Sequence, residues 1–183
     1  FGSEKEFSVN DHPSDIKVGD VDGDGNLDLA VSVEQGSSSG VLLGNGDGSF
    51  GSVQNFSAGS EPREIALGHF NNDDHLDMVT ANEQSGNVTV HIGNGDGTFD
   101  VGKTIGGFSA PHDIQIGDFN EDDQADLLVA STGDDAAVTL LGKGGGTFEK
   151  RVTHNVGNSP EAVVAHDFDG DRVQDIAVAN DND

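Results

Sequence analysis

Apolar residues recur along this chain in short rhythms nested inside a long one. From Glu64 to Phe70, Ile65 and Leu67 alternate with polar neighbours, as in a strand with one face on a core. Leu76 to Ala81 is apolar on both faces, which suits an inner strand covered from two sides. Val88, Val90 and Ile92 then alternate with Thr89 and His91, and Gly93-Asn94-Gly95-Asp96-Gly97 follows as a turn needing positive φ. A fourth strand is expected from about Phe99 to Phe108. No stretch carries a helical period.

The long rhythm is 49 residues. Ile16, Ile65, Ile114 and Val163 share one phase, and Leu29, Met78, Leu127 and Ile176 another. Phe1, Phe50, Phe99 and Phe148 are also in step, as are Gly44, Gly93 and Gly142. One copy is therefore one packing unit. Four short antiparallel strands per copy predict an all-β fold, a β-propeller of four-stranded blades, present here as about 3.7 repeats. The expected division is an outer strand of an incomplete blade at 1–10, repeats at 11–59, 60–108 and 109–157, and a partial repeat at 158–183. Phe1 lies on the grid and no initiator Met opens the chain, so it reads as a mature or excised piece. Its ends are expected to pair, within the chain or between chains, because open strand edges expose unsatisfied backbone groups.

Composition narrows the chemistry. Of 183 residues, 33% are hydrophobic, enough for a core, yet 34 Asp and Glu stand against 8 Lys and Arg, for a net charge of −26. That balance argues against nucleic acid and anionic membranes, which call for clustered Lys and Arg, and favours multivalent cations. There is no cysteine, so disulfides and thiolate metal sites are excluded. No apolar run approaches the ~18 residues of a membrane span.

Acidic residues gather in one loop, repeated four times in register from Asp20, His69, Asp118 and Asp167. Calcium takes six to eight hard oxygens, and carboxylates or amides at loop positions 1, 3, 5 and 9, with a carbonyl at 7, supply them from one turn. Asp20, Asp22, Asp24 and Asp28 fit, with the carbonyl of Asn26. Asp118, Asn120, Asp122 and Asp126 fit around Gln124, and Asp167, Asp169, Asp171 and Asp175 around Val173. The second loop reads His69, Asn71, Asp73, His75 and Asp77, and an imidazole is a poor calcium ligand. Three strong Ca2+ sites and one weaker one are expected. An EF-hand is rejected because position 12 holds Val31, Thr80, Val129 and Val178 where a bidentate Glu belongs.

Other chemistry is thin. In the Gly44 to Gly48 series the third copy, Gly142-Lys143-Gly144-Gly145-Gly146, loses the acid and keeps the glycines, so a tight turn is favoured over a ligand site. The seven histidines sit at unlike repeat positions, and no nucleophile motif accompanies them, so no enzyme is expected.

Phe50-Gly51, the segment Gly117-Asp118-Phe119-Asn120 through Asp126, and Leu127-Leu128-Val129-Ala130-Ser131 resemble the FG-GAP repeats, also called VCBS-type, of integrin α-subunit β-propellers. The resemblance implies a propeller with calcium loops between the first and second strands of each blade, used for adhesion or ligand binding. By matching position it places calcium ligands on the Asp20, Asp118 and Asp167 loops, while the His69 loop departs from the pattern. The expected function is a calcium-stabilised extracellular or cell-surface module that binds a protein or glycan ligand through blade loops. A structural or self-assembling scaffold domain of a larger secreted protein is the alternative, and self-association through open blade edges is a further expectation. The loops at Glu34–Ser39, Glu83–Asn87 and Thr132–Ala136 vary at one structural position, as a tuned surface would. With no Trp or Tyr, Phe108 and Arg63 are the few candidates for ligand contact.

Overall fold

A computed structural model describes residues 4–9, 12–171 and 173–181. β1 (Pro13–Gly19), β2 (Asp28–Val33), β3 (Ser38–Leu42) and β4 (Gln54–Ser57) form one antiparallel sheet in sequential order. β5 (Pro62–Gly68), β6 (Asp77–Asn82), β7 (Asn87–His91) and β8 (Lys103–Gly106) form the second. β9 (Pro111–Gly117), β10 (Asp126–Ser131), β11 (Ala136–Gly142) and β12 (Phe148–Asn155) form the third, and β13 (Pro160–His166) with β14 (Asp175–Asn180) a two-stranded fourth. The expected all-β architecture of four-stranded blades holds for the three complete sheets, and one 3₁₀ turn at Thr132–Asp134 is the only helical element among the described residues.

The core lies between sheets rather than within one. Val21, Ala30 and Val41 of the first sheet meet Ile65, Met78 and Phe99 of the second. Phe70, Val79 and Val90 of the second meet Ile114, Leu127 and Leu140 of the third. Leu128, Ala130 and Ala137 of the third meet Val163 of the hairpin. Successive strand residues point to opposite faces, so Leu127 looks back one sheet and Leu128 forward one. This is why β6 and β10 are buried at all six positions and carry no polar alternation. Each fully buried Val, Leu or Ile contributes about 1.5–3 kcal/mol.

Two expectations are corrected. The fourth strand of the second sheet runs only from Lys103 to Gly106; Phe99 instead pairs with Gly93 in an isolated bridge that closes the preceding turn, and Val101 stands in solvent. Residues 4–9, expected to be an outer strand, form no strand. The strand they would extend belongs to a blade whose other strands are not beside them, so they have no ladder to join. Phe7 packs edge-on against Phe50 instead, at 5.1 Å. Phe1 and Asn10, the limits of that expected strand, lie outside the described residues.

A regularity missed in the sequence organises one end of the sheets. All four prolines, Pro13, Pro62, Pro111 and Pro160, open the first strand of a repeat. Proline has no N–H and is tolerated at a strand's first residue. The residue before each is left-handed: His12 at φ 60, Glu61 at 52, Ala110 at 51 and Ser159 at 52. Their carbonyls accept the N–H groups of Glu34, Glu83, Thr132 and Asp181, at 2.9–3.0 Å. Left-handed backbone before proline costs about 1–3 kcal/mol, and this repeated bond holds it, tying each sheet-to-sheet link to the β2–β3 type of turn.

Candidate metal centre

Antiparallel strands put the loops joining first to second strands, and third to fourth, at one end of every sheet. The acidic loops and the glycine-rich turns therefore meet. Gly44, Gly93 and Gly142 each donate a backbone N–H to the position-nine carboxylate of their own repeat: Gly44 to Asp28 at 2.7 Å, Gly93 to Asp77 at 2.8 Å and Gly142 to Asp126 at 2.7 Å. The other oxygen of each accepts from the loop itself, Val21 at 2.7 Å, Phe70 at 2.6 Å and Phe119 at 2.8 Å. These three aspartates are buried, and each clamps its acidic loop to its glycine turn. Asp175 keeps the loop half of the clamp, through Phe168 at 3.1 Å.

Glycine is required at the clamp. A Cβ on Gly93 would lie 2.1 Å from the carbonyl oxygen of Leu76, and the equivalents meet Leu27 and Ala125 at 2.2 Å. Two positions on, Gly46, Gly95 and Gly144 have φ of 73–74 and lie against the side chains of Asn26, His75 and Gln124. The glycine series is thus turn chemistry shaped to seat the acidic loop.

Within the loops, carboxylates of Asp20, Asp22 and Asp28 lie within 4.8 Å of one another, as do those of Asp167, Asp169 and Asp175. Asp20 is held by the N–H groups of Gly23 at 2.8 Å and Gly25 at 2.9 Å, and Asp167 by Gly170 at 2.7 Å. Each oxygen so bonded keeps a lone pair for a cation. Asp24 and Asp171 lie outside these clusters, Asp24 turned to the backbone and amide of Asn26 and Asp171 to the N–H of Val173. In the Asp118 loop position three is an amide, and Asn120 Nδ2 donates to Asp122 at 3.0 Å.

The His69 loop is built differently. His69 Nδ1 donates to the carbonyl of His75 at 2.8 Å, so position one is bonded directly to the carbonyl that position seven would offer a cation. Positions four and six are left-handed in the first loop, at Gly23 and Gly25, and in the third, at Glu121 and Asp123; Asn72 and Asp74 of the second are not. Its remaining members, Asn71 and Asp73, bond each other at 2.7 Å.

Charge follows this geometry. Burial, then repulsion from Asp24, Asp28 and Asp20, moves Asp22 above the ordinary carboxylate range. Burial does the same to Asp77 and Asp126, against their backbone bonds. Asp118 is lowered, because bonds from Asp123, Asp122, Asn120 and Glu121 outweigh its burial. A divalent ion in the Asp20 loop would relieve the repulsion among these carboxylates.

At the opposite end, Phe108 and Arg63 are already engaged. Phe108 is buried beneath Arg151, whose guanidinium lies 4.1 Å from the ring centroid, so it is not an exposed anchor. Arg63 pairs with Glu83 and with Glu34. The varied segments are turns only over 34–37, 83–86 and 132–135; Ser39 and Ala136 are buried strand residues.

The profile of the FG-GAP-like repeat matches residues 20–80, 69–129 and 118–178, each span running from one acidic loop past the next. The chain belongs to the FG-GAP-like repeat family. No protein of curated function matches this FG-GAP chain in sequence. Among solved structures, BBS1N, crystallised in complex with ARL6DN and soaked with lead, is similar with a TM-score of 0.64 at 14% identity. The similarity covers 95% of this chain and 52% of that one, so the chain spans about half its length and shares its fold. FG-GAP repeats on a propeller-like fold point to a protein-binding module, are typically not enzymes, and are typical of extracellular proteins. Among the described residues no helix is long and apolar enough to cross a membrane.

Proposed function

We propose that this chain is a calcium-stabilised extracellular binding module that recognises a protein or glycan ligand through the turns opposite its acidic loops. The observation that supports the proposal is the convergence of Asp20, Asp22 and Asp28, and of Asp167, Asp169 and Asp175, into two carboxylate groups whose oxygens suit a hard cation. Asp20, Asp22, Asp28 and the Asn26 carbonyl would hold one ion, Asp167, Asp169, Asp175 and the Val173 carbonyl another, and Asp118, Asn120, Asp122, Asp126 and the Gln124 carbonyl a third. Bound calcium supplies charge neutralisation and a cross-link; the aspartate clamps carry that rigidity into the glycine turns. Sites of extracellular type bind at ~10⁻⁴ to 10⁻³ M, which suits extracellular calcium and not a calcium-poor cytosol.

The opposite end supports the recognition role. Glu34, Gln35, Ser37, Ser60, Glu61 and Gln84 line a polar groove of about 400 Å³ there. The proline-locked links fix its walls; Glu34-Gln35 recurs as Glu83-Gln84, and the third repeat carries Thr132-Gly133 at those positions, so the turn surface changes in chemistry only at the third repeat. A glycan array and an array of extracellular matrix proteins, probed with and without calcium, test the reading. Calcium-dependent binding that Glu61→Ala weakens is expected. Silence on both arrays with calcium present would overturn the recognition role.

A further inference from the structure

Between the outer strands of the first and second sheets, β4 and β8, lies a pocket of about 370 Å³. Both sheets are complete. Phe56 of β4 lines the pocket with Thr89, His91, Phe99, Gly102 and Thr104 of the second repeat. It shares no residue with the acidic loops or with the polar groove.

The repeat shows why apolar side chains do not fill this space. Thr89 and Thr104 are cross-strand partners, and continuing the ladder past Val90 and Lys103 places His91 opposite Gly102. His91 stands in the phase of Leu42 and Leu140, and Gly102 in the phase of Val53 and Arg151. In the first repeat Leu42 and Val53 share one apolar cluster, and in the third Leu140 packs in the core while Arg151 covers Phe108. The second repeat puts an imidazole and a bare backbone where the others put carbon.

His91 is only 2% exposed, and its ring meets that of Phe56 at 6.2 Å. Nδ1 donates to the carbonyl of Asp100 at 3.0 Å, which leaves Nε2 of the neutral ring as an acceptor. That atom is buried and has no hydrogen-bond partner among the described residues. It lies beside Gly102, where a Cβ would come within 2.8 Å of Nε2 and 2.5 Å of Cε1. A buried acceptor without a partner costs stability that a leucine in this phase would not lose, so packing alone does not account for the histidine. On the rim Val101 is 95% exposed.

We infer that this pocket binds a neutral aromatic ring carrying one hydroxyl, a phenol, whose O–H donates to Nε2 of His91 while the ring packs against Phe56 and Phe99. One donor suffices: Oγ1 of Thr89 already accepts from Asn82 at 2.9 Å, and Nε2 is the unpaired buried side-chain acceptor on these walls. The several hydroxyls of a sugar ring would find too few such partners. Phe56 and Phe99 meet edge to face at 5.1 Å, an arrangement that a third ring extends. No Lys or Arg lines the pocket, and Asp100 with the chain's charge of −26 disfavours carboxylates and phosphates. An ammonium would be buried against an imidazole with no carboxylate to pair it. A free phenol and the tyrosine side chain of a partner share this chemistry. The pocket is independent of calcium and of recognition through the turns opposite the acidic loops.

Titration of the full chain with p-cresol, followed by nuclear magnetic resonance, tests this. Saturable binding at ~10⁻³ M is expected, with shifts centred on Phe56, Thr89, Gly102 and Thr104 and on the Nε2 resonance of His91. On the same wild-type chain 4-methylanisole, which keeps the ring and loses the donor, should bind roughly tenfold more weakly. The double variant His91→Leu/Gly102→Val installs the pair that the first repeat carries, so it retains the wild-type circular dichroism and loses p-cresol binding. Binding of N-acetyltyrosinamide as well as p-cresol assigns the pocket to a partner's tyrosine, and binding of p-cresol alone assigns it to a free phenol. Absence of saturable p-cresol binding, equal affinity for 4-methylanisole, or unchanged binding by the double variant would overturn the inference.

Discussion

Asp77→Ala isolates what the buried aspartates do for the fold from what they do for a cation. Asp77 is fully buried, accepts from Phe70 at 2.6 Å and Gly93 at 2.8 Å, and sits in the loop where His69 replaces the position-one carboxylate. Each bond to an ionised group is worth about 1.5–3 kcal/mol, and each buried N–H left without a partner costs about 1–3 kcal/mol. These terms overlap, and burial raises the pKa of Asp77, which places the net loss at about 3–5 kcal/mol. A domain has about 5–15 kcal/mol to lose, so the effect is large. Because the chain lacks Trp and Tyr, urea unfolding followed by circular dichroism is the suitable assay. Asp73→Ala, an exposed member of the same loop, is the comparator and should cost under about 1 kcal/mol. The Asp77 loss should be the same in chelator and in calcium. A loss below about 1 kcal/mol in chelator would refute the clamp.

Three further outcomes are expected. Asp22→Asn should remove more of the calcium-induced rise in Tm than Asp73→Asn, since Asp22 belongs to a three-carboxylate cluster and Asp73 does not; equal losses would contradict the ranking. Glu64 is pushed up to about 7 by burial, in spite of its bond to Lys17, so its neutral form favours the fold: that stability is present below the unfolded value near 4.5 and is lost as pH rises through about 7. Glu64→Gln should flatten this part of the wild-type profile of Tm against pH, and an unchanged profile would count against it. Gly93→Ala should destabilise by about 1–3 kcal/mol through contact with the Leu76 carbonyl, whereas Gly145→Ala, with open space around it, should cost only the strain of its positive φ; the urea midpoints decide.

Much of the fold was legible because burial has a period. Leu76 to Ala81 does not alternate, and Asp77 to Ala81 are buried accordingly; Ile65 and Leu67 alternate as for a one-sided strand, yet Ala66 between them is buried too, against the third sheet while Ile65 faces the first. Residues 4–9 misled because Phe1 keeps the repeat's phase while pairing depends on a neighbouring strand, which phase does not supply. The fourth strand of the second sheet was overextended because Phe99 belongs to turn closure. At the acidic loops, residue type and spacing named the candidate ligands but not their division of labour. Asp24 and Asp28 look alike in sequence, yet one turns to Asn26 and the other clamps Gly44, because only Asp28 starts a buried strand. The four in-phase prolines were a visible signal for the locked links, and their meaning became plain only with the left-handed residues before them.

Calorimetric titration of the full chain with calcium, paired with melting curves in calcium and in chelator, tests the central claim most directly. The account predicts binding to at least the Asp20 and Asp167 loops at ~10⁻⁴ to 10⁻³ M and a higher Tm in millimolar calcium. Absence of binding heat together with superimposable melting curves would contradict it.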